Sequence, residues 1–79
     1  MKRDVSGREF LEFLVNQGFR ICEGIDFVLL ARDCENVKGT DYVSVPARQP
    51  CLTETYLRYT LPRAGFTWER FWEIVGTSS

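Results

Sequence analysis

The longest apolar run in the chain, Phe27-Val28-Leu29-Leu30-Ala31, is only five residues long. It lies between the step Gly24-Ile25-Asp26 and a polar stretch that opens at Arg32-Asp33. A membrane span needs roughly 20 apolar residues, so the run reads instead as a central β-strand covered on both faces. Its neighbours alternate, as half-buried strands do: Phe19-Arg20-Ile21-Cys22-Glu23 before it and Asp41-Tyr42-Val43-Ser44-Val45 after it. Strands are therefore expected over 19–23, 26–33 and 41–45. Pro46 should stop the third, because proline has no ladder donor. Lys38-Gly39, inside the polar connection, suits a hairpin turn. The three strands form an antiparallel meander.

Helices are expected on either side of this meander. Ser6 and Glu9 have the spacing of a capping box, in which a hydroxyl and a carboxylate each satisfy an orphan backbone donor. Phe10, Leu11, Phe13, Leu14 and Val15 then fill one arc at helical spacing, opposite Glu9, Glu12 and Asn16. Gly18 is placed to end this helix, which is expected over 6–17. After the strands, Leu52-Thr53-Glu54 leads into a helix with Leu57 and Leu61 on one face, which Pro62 should end or kink, and Gly65 marks the break. Thr67 caps a short last helix with Trp68, Phe71, Trp72 and Val75 on one stripe. Residues 76–79 read as a frayed tail.

The order is α-β-β-β-α plus a short C-terminal helix. This is an α+β fold with a three-stranded antiparallel sheet and helices packed on one face, and residues 1–79 make a single domain. Phe27, Leu29 and Ala31 point to one side of their strand, while Val28 and Leu30 point to the other. The set left outside the helix layer calls for cover, either from the last helix or from a second chain.

Ten basic and eleven acidic residues leave a net charge of −1, so no global field draws the chain to nucleic acid. Three cysteines (Cys22, Cys34 and Cys51) are widely spaced, and without CxxC pairs or histidine they do not suggest a zinc site. They read as small buried hydrophobes with reduced thiols in a cytoplasmic protein. Cys51, just before a helix N-terminus, is the one placed for a lowered pKa. No metal or cofactor is expected, and neither is a membrane association. The N-terminal residues lack the apolar core of a signal peptide.

The chain has no histidine, and imidazole is the one side chain that titrates near neutrality without a large shift. Acid–base chemistry would fall to carboxylates, a thiol, tyrosine or arginine. Binding is expected ahead of turnover.

Several signposts occur in a telling order: a helix running into Gly18-Phe19, the step Gly24-Ile25-Asp26 at the head of a strand, and Val43-Ser44-Val45-Pro46. Leu52, Thr55, Leu57, Leu61 and Ala64-Gly65 follow, ahead of a final helix with Phe71. Over about residues 7–75 this series resembles the HicA-type toxin family, small mRNA-cleaving partners in toxin–antitoxin pairs. The resemblance implies a double-stranded-RNA-binding-domain-like fold. It also implies a catalytic histidine after a Gly-Ser step, acting on the 2′-hydroxyl that attacks the neighbouring phosphate. Here Asp26 stands at that position and Ile25 replaces the serine. Many family members carry a basic or imidazole residue just after the Val-Pro, and Arg48 sits near that place.

Asp26 is the candidate catalytic residue, but a carboxylate is a weak base at neutral pH and repels phosphate. Arg20, Arg32, Lys38 and Arg48 are the candidate nucleic-acid-binding residues, because guanidinium forks suit phosphate. Glu23, Asp26, Asp33, Glu35 and Asp41 lie among them and offset their charge. The aromatic stripe of the last helix reads as core or interface. Of Tyr56 and Tyr59, one is expected to stay open for interaction. The leading expectation is a HicA-like domain without nuclease activity that binds RNA or an antitoxin-like protein. One alternative is an active ribonuclease using Asp26 and Arg48. The other is an interaction module that forms a homodimer through its sheet face.

Overall fold

The structure, a computed structural model, describes residues 4–35 and 42–77. Its elements are α1 (Gly7–Asn16), β1 (Arg20–Glu23), β2 (Phe27–Ala31), β3 (Val43–Pro46), α2 (Glu54–Ala64) and α3 (Trp68–Thr77). The strands form one antiparallel sheet in the order β1-β2-β3. This is the expected α+β meander. The Lys38-Gly39 connection lies outside the described residues.

Helix α1 starts where its capping box places it. Ser6 Oγ accepts the Glu9 N–H at 3.1 Å, and Glu9 Oε1 accepts the Ser6 N–H at 3.3 Å. Phe10, Phe13 and Leu14 are buried beneath the helix, and Gly18 follows it with φ 97°. The first residue of α1 has a second role that local sequence does not announce. The Gly7 N–H donates to the Gln49 carbonyl at 2.8 Å, and a Cβ at Gly7 would stand 1.9 Å from the Pro46 carbonyl oxygen. The Leu52 N–H donates to the Val5 carbonyl at 2.8 Å, so two backbone bonds tie residues 5–7 to the segment after β3.

In the sheet, Val28 faces Val45 and Leu30 faces Val43, and all four are buried under the helices. On the opposite face Phe27 is 65% exposed, Leu29 is half-buried and Ser44 is exposed. The expectation of a central strand covered on both faces is therefore corrected. The helices gather on the Val28–Leu30 side, and α3 does not fold over Phe27. Instead, Phe71 of α3 meets Phe10 at 5.7 Å and Phe13 at 5.0 Å between ring centroids, and Phe66 meets Phe13 at 5.0 Å. These edge-on pairs build an aromatic core between the helices, where geometry adds to area burial.

Helix α2 begins at Thr53, whose hydroxyl accepts the Tyr56 N–H at 3.1 Å, and runs through Pro62 to Ala64. Proline neither ends the helix nor stands in its middle. Only two helical residues follow it, so the lost donor matters little. Leu61 and Ala64, buried on either side of Pro62, hold the last turn to the core. Gly65 then closes the helix with φ 89°. Thr67 Oγ1 accepts the Arg70 N–H at 3.1 Å at the start of α3. That helix continues to Thr77, so Gly76 and Thr77 belong to it and not to a frayed tail.

The cysteines also depart from expectation. Ile21 pairs with Leu30 and Glu23 with Leu29, which leaves Cys22 as the extra residue of a β-bulge. The bulge re-aims Cys22, and it is joined by a disulfide to Cys34, with the Cα atoms 5.4 Å apart. Cys22 is half-buried, Cys34 and Cys51 are exposed, and none is the buried hydrophobe expected. Cys22 and Cys34 are therefore not the reduced thiols expected.

Two stability measurements test this description. Gly24 has φ 117°, and a Cβ there would stand 2.0 Å from the Phe27 carbonyl oxygen, whereas Gly65 has no atom within 4 Å of the same construction. Gly24→Ala should cost at least about 2 kcal/mol in urea unfolding, and Gly65→Ala about 1–2 kcal/mol from backbone strain alone. Equal losses would contradict the packing described. Breaking the Cys22–Cys34 bond with dithiothreitol should remove about 2–3 kcal/mol through loop entropy. A Cys22→Ser, Cys34→Ser double variant should be insensitive to the reductant.

Candidate functional site

The mouth of the β1–β2 hairpin brings Asp26 and Arg48 together. Phe27 pairs with Pro46, and the Ala47 N–H donates to the Asp26 carbonyl at 3.0 Å, which extends the ladder by one step. That step puts the Arg48 side chain beside the Asp26 carboxylate, with Nε 3.0 Å from Oδ1. The side chains are 79% and 64% exposed, so the pair contributes at most about 1 kcal/mol to stability. The Arg48 guanidinium lies directly against the carboxylate. Ile25, at the tip beside them, is 83% exposed.

Arg20 and Arg32 lie at the other end of the sheet. Arg20 pairs with Ala31, and Arg32 follows directly on β2. Six strand steps separate Asp26 from Arg32, or about 20 Å at ~3.3 Å per residue. Arg48 therefore does not share a patch with them. Arg20 and Arg32 line one surface hollow together with Asp33 and Glu35, which offset their charge. Arg32 is already engaged. Its Nη1 donates to the Gln17 carbonyl at 3.0 Å, and its guanidinium lies 4.5 Å from the Phe19 ring centroid. A cation at the end of α1 complements the helix dipole. Lys38 lies outside the described residues.

The other edge of the sheet, β3, runs along α2. The Tyr56 hydroxyl donates to the Ser44 carbonyl, so a side chain caps a backbone acceptor on the free edge. Burial pushes the Tyr56 phenol up to about 12, and a hydrogen bond with Thr60 works weakly in the opposite direction. Tyr56 also packs edge-on against Phe10, 5.9 Å between centroids. Its neighbour Tyr59 is 65% exposed. Thus one of the two tyrosines is held and the other left open.

Cys51 corrects another expectation. Partial desolvation, followed by the nearby Asp4 carboxylate, pushes its thiol up, not down. It stands two residues ahead of the Thr53 cap, where the helix dipole is weak. Among the described residues no three His, Cys, Asp or Glu side chains gather to hold a metal ion. Arg63 escaped sequence reasoning. The signal was its spacing four residues after Tyr59, which puts both on one helix face.

Tyr56 supplies a pH test. A phenol that ionises at about 12 when folded and near 10 when unfolded lends stability that is complete below pH 10. That stability is lost as pH rises through 12. In a Cys51→Ser background, which prevents thiol exchange with the disulfide, the unfolding midpoint should fall across this window. Tyr56→Phe should flatten the fall and cost about 1 kcal/mol at neutral pH through the lost hydrogen bond. Parallel curves for the two proteins would refute this assignment. No family model, curated protein or solved structure matches this chain.

Proposed function

We propose that the chain is a HicA-like domain that works by holding a protein partner, such as an antitoxin-like chain, and does not cleave RNA. The observation that carries this reading is the Asp26–Arg48 ion pair. On the resemblance, Asp26 stands at the position of that family's catalytic imidazole. A carboxylate already paired with Arg48 stands there, and the chain has no histidine to take the 2′-hydroxyl proton.

The distribution of basic groups supports protein over RNA. Arg8 pairs with Glu12, Arg48 with Asp26, Arg58 with Glu54 and Arg70 with Glu73. Arg32 serves a helix end. Phosphate recognition draws on uncommitted cations that release counterions, and few of the described arginines are in that state. Exposed apolar side chains favour a protein surface. Phe27 and Ile25 stand out at the same hairpin mouth.

Incubation of the purified protein with single-stranded RNA should leave the RNA intact, and Asp26→Asn should behave identically. Cleavage by the wild type that the variant abolishes would favour the ribonuclease reading. Affinity for RNA should be undetectable, or fall steeply between about 50 and 200 mM salt if the hollow at Arg20 makes phosphate contacts. Tight, salt-insensitive RNA binding would contradict the proposal. Sedimentation of the protein recovered from its own cells should show a second chain bound, and Phe27→Asp should release it.

A further inference from the structure

The described surface leaves six large apolar side chains exposed, and three of them, Phe27, Tyr42 and Tyr59, line a single groove. The groove lies between the outer edge of β3 and α2 and encloses about 430 Å³. That is within the range of about 300–1,000 Å³ typical of small-molecule sites. Ser44, Thr60 and Arg63 add polar groups to its walls. None of its described lining residues is acidic.

Arg63 is the one cation among those lining residues, and no carboxylate neutralises it among the described residues. Its Nη1 donates to the Tyr59 hydroxyl at 2.7 Å, with the guanidinium carbon 5.3 Å from that ring's centroid. One of its five N–H groups is used by a neutral acceptor, and the fork is held in place beside an open aromatic face. A guanidinium prepared in this way suits a carboxylate, phosphate or sulfonate oxygen pair. The nearby end of α2 opposes an anion with about half a charge. Two of its last four carbonyls, those of Leu61 and Pro62, are bonded by the Phe66 and Gly65 N–H groups. The full charge of Arg63 outweighs what is left.

We propose that this groove binds a planar aromatic anion, with the ring against Tyr59 and its aromatic neighbours and the anionic group on Arg63. Aromatic walls favour a flat ring through offset or edge-on contact. The inference does not rest on the protein-partner reading, since Asp26 and Arg48 do not line the groove, although Phe27 borders both surfaces. An aryl carboxylate and a nucleoside monophosphate both have the required chemistry.

The test is a fluorescence and NMR titration of the full chain with 8-anilinonaphthalene-1-sulfonate. Saturable one-to-one binding is expected, with amide shifts concentrated in residues 42–46 and 56–63. Arg63→Glu should weaken binding roughly tenfold or more, while Arg70→Ala, on α3, leaves it unchanged. A dispersed NMR spectrum for each variant ensures that the dye reports a folded protein. Indole-3-carboxylate and adenosine 5′-monophosphate then compete for the site, and whichever displaces the dye identifies the source of the anion. Unsaturable binding, equal affinity for Arg63→Glu and the wild type, or displacement by neither competitor would overturn the proposal.

Discussion

The contact between Gly7 and the Pro46 carbonyl fixes more of this molecule than any other. A Cβ at Gly7 would stand 1.9 Å from that oxygen, so α1 can lie this close to the end of β3 only because its first residue has no side chain. The two flanking backbone bonds, Gly7 to Gln49 and Val5 to Leu52, lock the approach. They set the angle at which Phe10 and Phe13 enter the core and meet Phe71. They also shape the turn that carries Arg48 to Asp26. Fold and candidate site therefore depend on the same close approach.

The sheet is one-sided, and its two edges are treated differently. On β1 the ladder is interrupted by the bulge at Cys22 and cross-linked to Cys34. On β3 the Tyr56 hydroxyl caps the Ser44 carbonyl. Both devices discourage edge-to-edge pairing with another chain. A partner is more easily received by the open face and hairpin mouth, where Phe27 and Ile25 project, or by the aromatic groove beside α2.

Much of the fold was legible in the sequence because its signals are local. The Ser6–Glu9 box, the Thr67 cap, the glycines at 18 and 65 and the alternation around the central strand each act within a few residues. The failures were non-local. The apolar run looked covered on both faces, because residue type alone does not reveal which of its two sides the helices choose. The Cys22–Cys34 bond was hidden because it depends on a bulge that shifts one residue out of register. The role of Gly7 was invisible, since the atom that would clash belongs to Pro46. At the candidate site, Asp26 and Arg48 were both picked out, but not their mutual engagement. Arg20 and Arg32 group with Arg48 by residue type, but the length of β2 holds them about 20 Å from it at ~3.3 Å per residue.

The Cys22–Cys34 bond also changes what cleavage of this protein would look like. It closes a loop that contains the hairpin tip with Asp26 and Ile25, the latter 83% exposed. A cut within that loop would leave both fragments covalently joined. Damage at the candidate site would therefore go unnoticed by mass on a non-reducing gel, and would surface only when the cystine was opened.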